Sequence, residues 1–421
     1  MDERTAGARM KRVDVPARLW YDNTDRELTF PDRWEVSDLT SPGMGKPGLS
    51  PEEIRARLRR PVAGPALLDL ARGRQQAIIV FDDMTRPTPV KDVAPHVLET
   101  LHEAGLRDDQ IRFLWALGSH AAYDMIAARK KLGDAIVERY AVYNHDPFQN
   151  TVRVGATPSG LEIWLNREYM ACDLRIGIGC VTAHVLAGYG GGAKLIMPGV
   201  AGLETIGQFH DLFRKNAART GLGRFEGNVM RAEIDAAGDL SGLDFKVDCL
   251  VNRRGQIASL HAGSFRATHA AGAEEGKVHY GIPASGVYDV AVCNTYGKAN
   301  ESAIALAIAI RLLRPGAQGT GVIVMDAPEG QVAHHVMRAW GTGYGGRHYT
   351  PREPGFIRRF MKRLIVLNPY PDRTCLDLVC HPDDAVVVKT WPEVLRLLEE
   401  DFPGPARVGV VQDGTMEYVR A

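Results

Sequence analysis

Apolar and polar positions alternate along this chain in a layered rhythm: short continuous apolar runs, then longer stretches with apolar residues at helical spacing. Ala77-Ile78-Ile79-Val80-Phe81, Ile111 to Leu117 and Leu174 to Gly179 predict buried strands. Val287 to Cys293, Gly321 to Met325, Ala385 to Val388 and Val408 to Val411 repeat the pattern. Between them the spacing predicts helices over Pro51 to Leu58, Val93 to Ala104, Glu204 to Ala217 and Glu301 to Leu313. The first follows a Ser50 cap with Glu53 three residues on, and the second ends at Gly105. Such alternation is the mark of an α/β fold. A chain of 421 residues exceeds the roughly 250–300 residues that one core sustains. Two α/β domains are therefore expected, 1–283 and 284–421, with the active-site cleft between them. Val278 to Pro283 is the expected hinge, and Gly341 to Pro354 an expected loop.

Composition narrows the partners. Lysine plus arginine balance aspartate plus glutamate at 51 each, so no long-range field favours nucleic acid or an anionic membrane. No apolar run of about 18 residues is present. Met1 to Arg18 carries no apolar stretch behind its basic residues, which argues against a secretory signal. Six scattered cysteines, without a C-x-x-C pair, predict buried thiols rather than a zinc site or a disulfide framework, and a cytoplasmic setting.

Three early strands run into polar turns: Asp82-Asp83-Met84-Thr85-Arg86, Gly118-Ser119-His120 and Cys180-Val181-Thr182-Ala183-His184. Ligands of open α/β sheets bind beyond the carboxyl ends of strands, so these turns are expected to share a crevice. Pro87 and Pro89 stiffen the first turn, which offers a carboxylate, a hydroxyl and a guanidinium fork; a solvated turn with an Asp-Arg surface pair fits equally. The segment Gly188-Tyr189-Gly190-Gly191-Gly192-Ala193-Lys194 fails both glycine-rich nucleotide fingerprints. Its glycines let backbone approach something closely, and Lys194 at its end suits an anion contact or a covalent tether. His120 and His184 each follow a strand, as core residues or as acid/base groups. His210 lies on one helix face with Leu203 and Ile206.

Taken in order, Asp83-Met84-Thr85-Arg86-Pro87, Gly118-Ser119-His120, His184, Lys194 and His210 resemble the motif set of the nickel-pincer 2-hydroxyacid racemases, the relatives of lactate racemase. The likeness runs from about Trp20 to the C-terminus and is densest from Ala77 to His210. It implies a nickel-dependent racemase or epimerase of a 2-hydroxyacid or sugar acid, working by proton-coupled hydride transfer. Its cofactor would be the nickel-pincer nucleotide, nickel pyridinium-3,5-bisthiocarboxylic acid mononucleotide, tethered through Lys194, with His210 as the protein ligand to nickel. His120 and His184 would be the paired proton acceptor and donor, and Asp83, Met84, Thr85 and Arg86 would line cofactor and substrate. Enzymes that make the cofactor would be the protein partners.

The second half departs from that family. A Gln and a Lys expected to grip the substrate carboxylate are absent after Asn294-Thr295-Tyr296-Gly297-Lys298, and Ala121 stands where an Arg usually follows the histidine turn. Lys298 is either a replacement for the missing charge or a helix-cap lysine, and the substrate is expected to differ from lactate. His334, His335 and Trp340 line the site or form a packed helix face. Two other classes stay open: a binding protein for nucleotides or sugar acids that has lost chemistry, and a zinc-dependent hydrolase.

Overall fold

The computed structural model describes residues 10–283, 286–337, 353–372 and 374–420; Trp340 and most of the Gly341 to Pro354 loop lie outside them. The chain divides into two compact α/β units, one holding Pro42–Gly281 and Val332–Thr350, the other Met1–Ser41, Ile282–Gln331 and Pro351–Ala421.

The first unit is built on a six-stranded sheet. Its order is Ile257–Gly263, Phe245–Val251, Leu174–Cys180, Ala77–Asp82, Ile111–Ala116 and Ala141–Asn144. All neighbours are parallel except Phe245–Val251 with Ile257–Gly263. Ala77–Asp82 is buried throughout, as its unbroken apolar run predicts for a strand covered on both faces. From this strand the chain moves outward through Ile111–Ala116 and Ala141–Asn144, then returns to lay Leu174–Cys180 on the other side. The reversal makes a topological switch point, where open α/β sheets leave a crevice beyond their strand ends.

The second unit carries a wholly parallel sheet, in the order Ala385–Val388, Arg363–Leu367, Thr320–Val324, Val290–Asn294, Arg407–Val411 and Glu35–Leu39. Val290, Val292, Val322, Val324, Val408 and Val410 bury one face against Val15, Phe30 and Trp34 of the N-terminal hairpin and against Trp391, Val394 and Leu398 of the helix Trp391–Asp401. This changes the expected division at residue 283. One crossing does fall beside it, at Gly281 and Ile282, but the N-terminal strand Glu35–Leu39 joins the C-terminal sheet by pairing with Arg407–Val411.

Local signals held where they were strong. Ser50 and Glu53 form the reciprocal cap of Pro51–Leu58, with Glu53 N–H donating to Ser50 Oγ and Ser50 N–H to Glu53 Oε2. Within the expected hinge Val278 to Pro283, Val278 and His279 end the helix Phe265–His279, and the crossing between units falls at Gly281 and Ile282. The strand expected from Val287 starts at Val290, because Val287 and Tyr288 donate their N–H groups to the Leu312 carbonyl. All six cysteines are buried free thiols.

Candidate active site

Asp83 follows the last residue of the central strand of the first unit, and both of its carboxylate oxygens are engaged. Oδ1 accepts from Thr85 N–H at 2.9 Å and from Thr85 Oγ1 at 2.5 Å, and Oδ2 meets Nδ1 of His120 at 2.5 Å. Burial alone would raise the carboxyl pKa. The facing His120, with Arg86 and the Thr85 hydroxyl, outweighs burial and holds Asp83 well below the usual carboxylate range. A carboxylate in that state takes the Nδ1–H of His120, so the imidazole carries its lone pair on Nε2. Asp83, Met84 and Thr85 are all buried; with both carboxylate oxygens committed, Asp83 is shaped to support His120. Arg86 is only half-buried, its Nη1 donating to the Thr85 carbonyl at 2.7 Å and to Thr85 Oγ1 at 2.8 Å.

A residue that sequence reasoning missed holds this turn from beneath. Lys131, on the helix Met125–Leu132, is fully buried. Its Nζ donates to the carbonyls of Asp83 at 2.9 Å and Arg86 at 2.8 Å and stands 2.9 Å from Asp82 Oδ1. In the sequence Arg129-Lys130-Lys131 looks like an exposed helix end, so nothing local gave it away.

His184 is held in the opposite sense to His120. Its Nδ1 accepts backbone N–H from Leu186 at 3.2 Å and from Ala187 at 3.1 Å, which puts the proton of the neutral ring on Nε2. His210, on the helix Leu203–Asn216, has Nδ1 2.8 Å from the Ile206 carbonyl. A carbonyl can only accept, so Nδ1 is the protonated nitrogen and the lone pair lies on Nε2.

The glycine segment does approach something closely, and that something is the protein itself. A Cβ on Gly191, at φ +83°, would stand 2.7 Å from Val181 and 2.9 Å from Asp248 Oδ1; one on Gly192 would stand 2.9 Å from His269. Asp248 accepts Gly192 N–H at 2.8 Å and pairs with buried Lys246 at 2.6 Å. Buried Arg231 donates to the carbonyls of Tyr189 at 2.6 Å and Gly191 at 3.3 Å. This clamp fixes the short 3₁₀ turn Gly192–Leu195, on which Lys194 is half-buried. Beyond that turn, the Gly199 carbonyl accepts Gly118 N–H at 2.8 Å, tying the lysine segment to the His120 turn.

Lys298 lies in the second unit and is fully buried. It stands at the N-cap position of the short 3₁₀ turn Ala299–Glu301, and its backbone N–H donates to Thr415 Oγ1 at 3.2 Å.

Residues 21–221 match the family of lactate racemase N-terminal domains. The lactate racemase of Thermoanaerobacterium thermosaccharolyticum is 27% identical over 271 residues, 63% of this chain and 62% of that protein. The lactate racemase of Lactiplantibacillus plantarum is 28% identical over 235 residues, 55% of each. The chain thus matches less than two thirds of the length of either relative. The lactate racemase apoprotein from T. thermosaccharolyticum superposes with a TM-score of 0.75 at 20% identity, covering 98% of this chain and 100% of that one. A protein from Thermotoga maritima gives 0.66 at 19%, covering 88% and 98%. At those identities the structural likeness speaks for the fold alone. Fold and strand-end residues define a two-unit α/β protein with His120 and His184 just beyond strand ends of its first unit. Residues 21–221 are similar to lactate racemase N-terminal domains, and the chain as a whole is similar in fold to a lactate racemase.

Proposed function

We propose that the protein is an isomerase that inverts the hydroxyl-bearing carbon of a 2-hydroxyacid or sugar acid, using a nickel-pincer mononucleotide tethered to Lys194 and ligated by His210. The observation that carries this reading is the opposite setting of two imidazoles. His120 has its lone pair on Nε2 through Asp83, and His184 its proton on Nε2 through two backbone N–H groups. Inversion at a carbinol needs an acceptor and a donor for one hydroxyl proton, and these two rings are prepared as that pair.

The residues fit the cofactor. His210 has the tautomer of a metal ligand, its other nitrogen oriented by a carbonyl. Lys194 is an amine on a turn that Arg231 and Asp248 hold rigid. When bound, the cofactor supplies the hydride acceptor that the α-hydrogen requires, since that hydrogen is too weakly acidic to leave as a proton.

The chain's own groups do the rest. His120 Nε2 takes the hydroxyl proton while Asp83 steadies the resulting imidazolium. His184 hydrogen-bonds the oxygen through Nε2–H, and the imidazolium of His120 returns the proton when the carbinol reforms. Arg86, steered by Thr85, is the guanidinium that meets the substrate carboxylate. A zinc-hydrolase reading would need three protein ligands, and among the described residues no three His, Cys, Asp or Glu side chains gather as a metal site.

The test is the intact mass of protein produced together with cofactor-making enzymes. Lys194→Ala is expected to lose the cofactor's mass increment completely. A full increment surviving that change removes the tether, and with it the reading.

A further inference from the structure

The segment Val332–Met337 lies against the turn that carries His120. Ala121 N–H donates to the Ala333 carbonyl at 3.2 Å and His335 N–H to the Ser119 carbonyl at 2.8 Å, with His120 and His334 facing each other as an antiparallel bridge. This stitching fixes the His334 ring. Its centre stands 5.1 Å from that of His120 and 6.3 Å from that of His210, near edge-to-face with both. An imidazole therefore stands beside the proposed base and the proposed metal ligand, and no role so far uses it. His335 packs on Phe148 instead, ring centres 4.9 Å apart.

What His334 can do follows from its partners. Met337 N–H donates to Nδ1 at 3.1 Å, so the neutral ring bears its proton on Nε2. The Ser119 hydroxyl lies 3.1 Å from Nδ1 and 3.3 Å from Nε2, so Nε2–H has Ser119 Oγ as its resting partner, and a substrate oxygen displaces or shares it. The ring is half-buried, as a group facing a small ligand must be. A hydrogen bond spans about 2.8 Å, so nitrogens on rings this close can hold oxygens on neighbouring atoms of one small molecule. In a 2-hydroxyacid those are the hydroxyl oxygen and a carboxylate oxygen.

We propose that His334 is a specificity-determining residue that donates Nε2–H to the substrate carboxylate while His120 holds the adjacent hydroxyl. This assignment rests on the racemase reading above. The same backbone stitching that seats Val336 in the core of the first unit also fixes the place of this donor.

The experiment compares cofactor-loaded wild type with H334A, H334L and H334Q on both enantiomers of lactate and of glycerate, which adds a 3-hydroxyl. Loss of a hydrogen bond to a charged group predicts KM higher by about tenfold or more in H334A and H334L, with kcat within about threefold. H334Q, whose amide also donates, recovers most of that loss, and the mass increment on Lys194 stays unchanged. H334L is read alone if H334A fails to take up cofactor. An unchanged KM, a loss in kcat alone, or an effect confined to glycerate overturns the carboxylate assignment. If loaded wild type inverts neither acid and saturation-transfer NMR detects no binding of either, the racemase reading itself falls and takes this assignment with it.

Discussion

Asp83 and His120 meet at 2.5 Å across the ends of two adjacent parallel strands, and that contact decides which nitrogen of the neutral imidazole keeps its lone pair. Asp83→Asn keeps the shape but presents an amide N–H or a weaker acceptor to Nδ1, so the ring loses its fixed tautomer. By analogy with the loss of the carboxylate in a catalytic triad, kcat is expected to fall on the order of 10³- to 10⁴-fold. Turnover per loaded enzyme measures it, with the mass increment on Lys194 expected to remain. Turnover within a few-fold of wild type would show that Asp83 does not set the base.

Lys131 bears on stability as well as on the site. Lys131→Met leaves the Asp82 carboxylate and two carbonyls buried without their cation, a loss of about 3–5 kcal/mol for a broken buried pair. Equilibrium urea unfolding is the measurement, and a shift in midpoint at constant slope is expected. Lys131→Arg should rescue little, because a planar guanidinium cannot reproduce the spread of three acceptors around one ammonium.

Gly191 tests the clamp beneath the proposed tether. Any Cβ there meets Val181 and Asp248 and demands a positive φ, a strain of about 1–3 kcal/mol. Gly191→Ala is expected to displace the 3₁₀ turn and lower the fraction of protein carrying cofactor, read by intact mass. Full loading would mean that Lys194 needs no rigid support.

Stability should decline with pH through one carboxyl of the second unit. Burial pushes Glu417 up to about 8, although its oxygens accept N–H from Ser41 at 2.7 Å and Asp413 at 2.9 Å. The unfolded chain releases this proton near about 4.3, so between that pH and about 8 the native state binds the extra proton. Its contribution is therefore complete at low pH and lost as pH rises through the folded value. Thermal melts from pH 5 to 8.5 should show the decline in wild type and a shallower one in Glu417→Gln. Equal slopes would assign the pH dependence elsewhere.

Legibility of the fold followed burial. Ala77–Asp82, Ile111–Ala116 and Leu174–Cys180 were readable because strands covered on both faces need unbroken apolar runs. Glu35–Leu39 was not, being a half-exposed edge strand with two acidic residues whose place depends on a partner far along the chain. Phe265–His279 was missed because its Ala270-Ala271-Gly272-Ala273 centre carries little apolar periodicity; it packs through small residues such as Gly272 and Gly276. The site divides along similar lines. Histidines and the terminal lysine of a glycine run stand out as residue types, whereas Lys131, Lys246 and Arg231 look like surface charges until the fold buries them. His334 was visible as a histidine, but its packed-helix alternative gives way to a bridge onto the His120 turn.

The pairing of Glu35–Leu39 with Arg407–Val411 has a consequence for the order of assembly on the ribosome. The sheet that bears Asp83, His120 and His184 can close once Gly263 has emerged, while an early-made strand must wait for nearly the last residues of the polypeptide. Domains tend to fold as they are synthesised, so the sheet bearing the proposed chemistry would mature first, and the waiting strand would be the nascent chain's exposed, aggregation-prone edge.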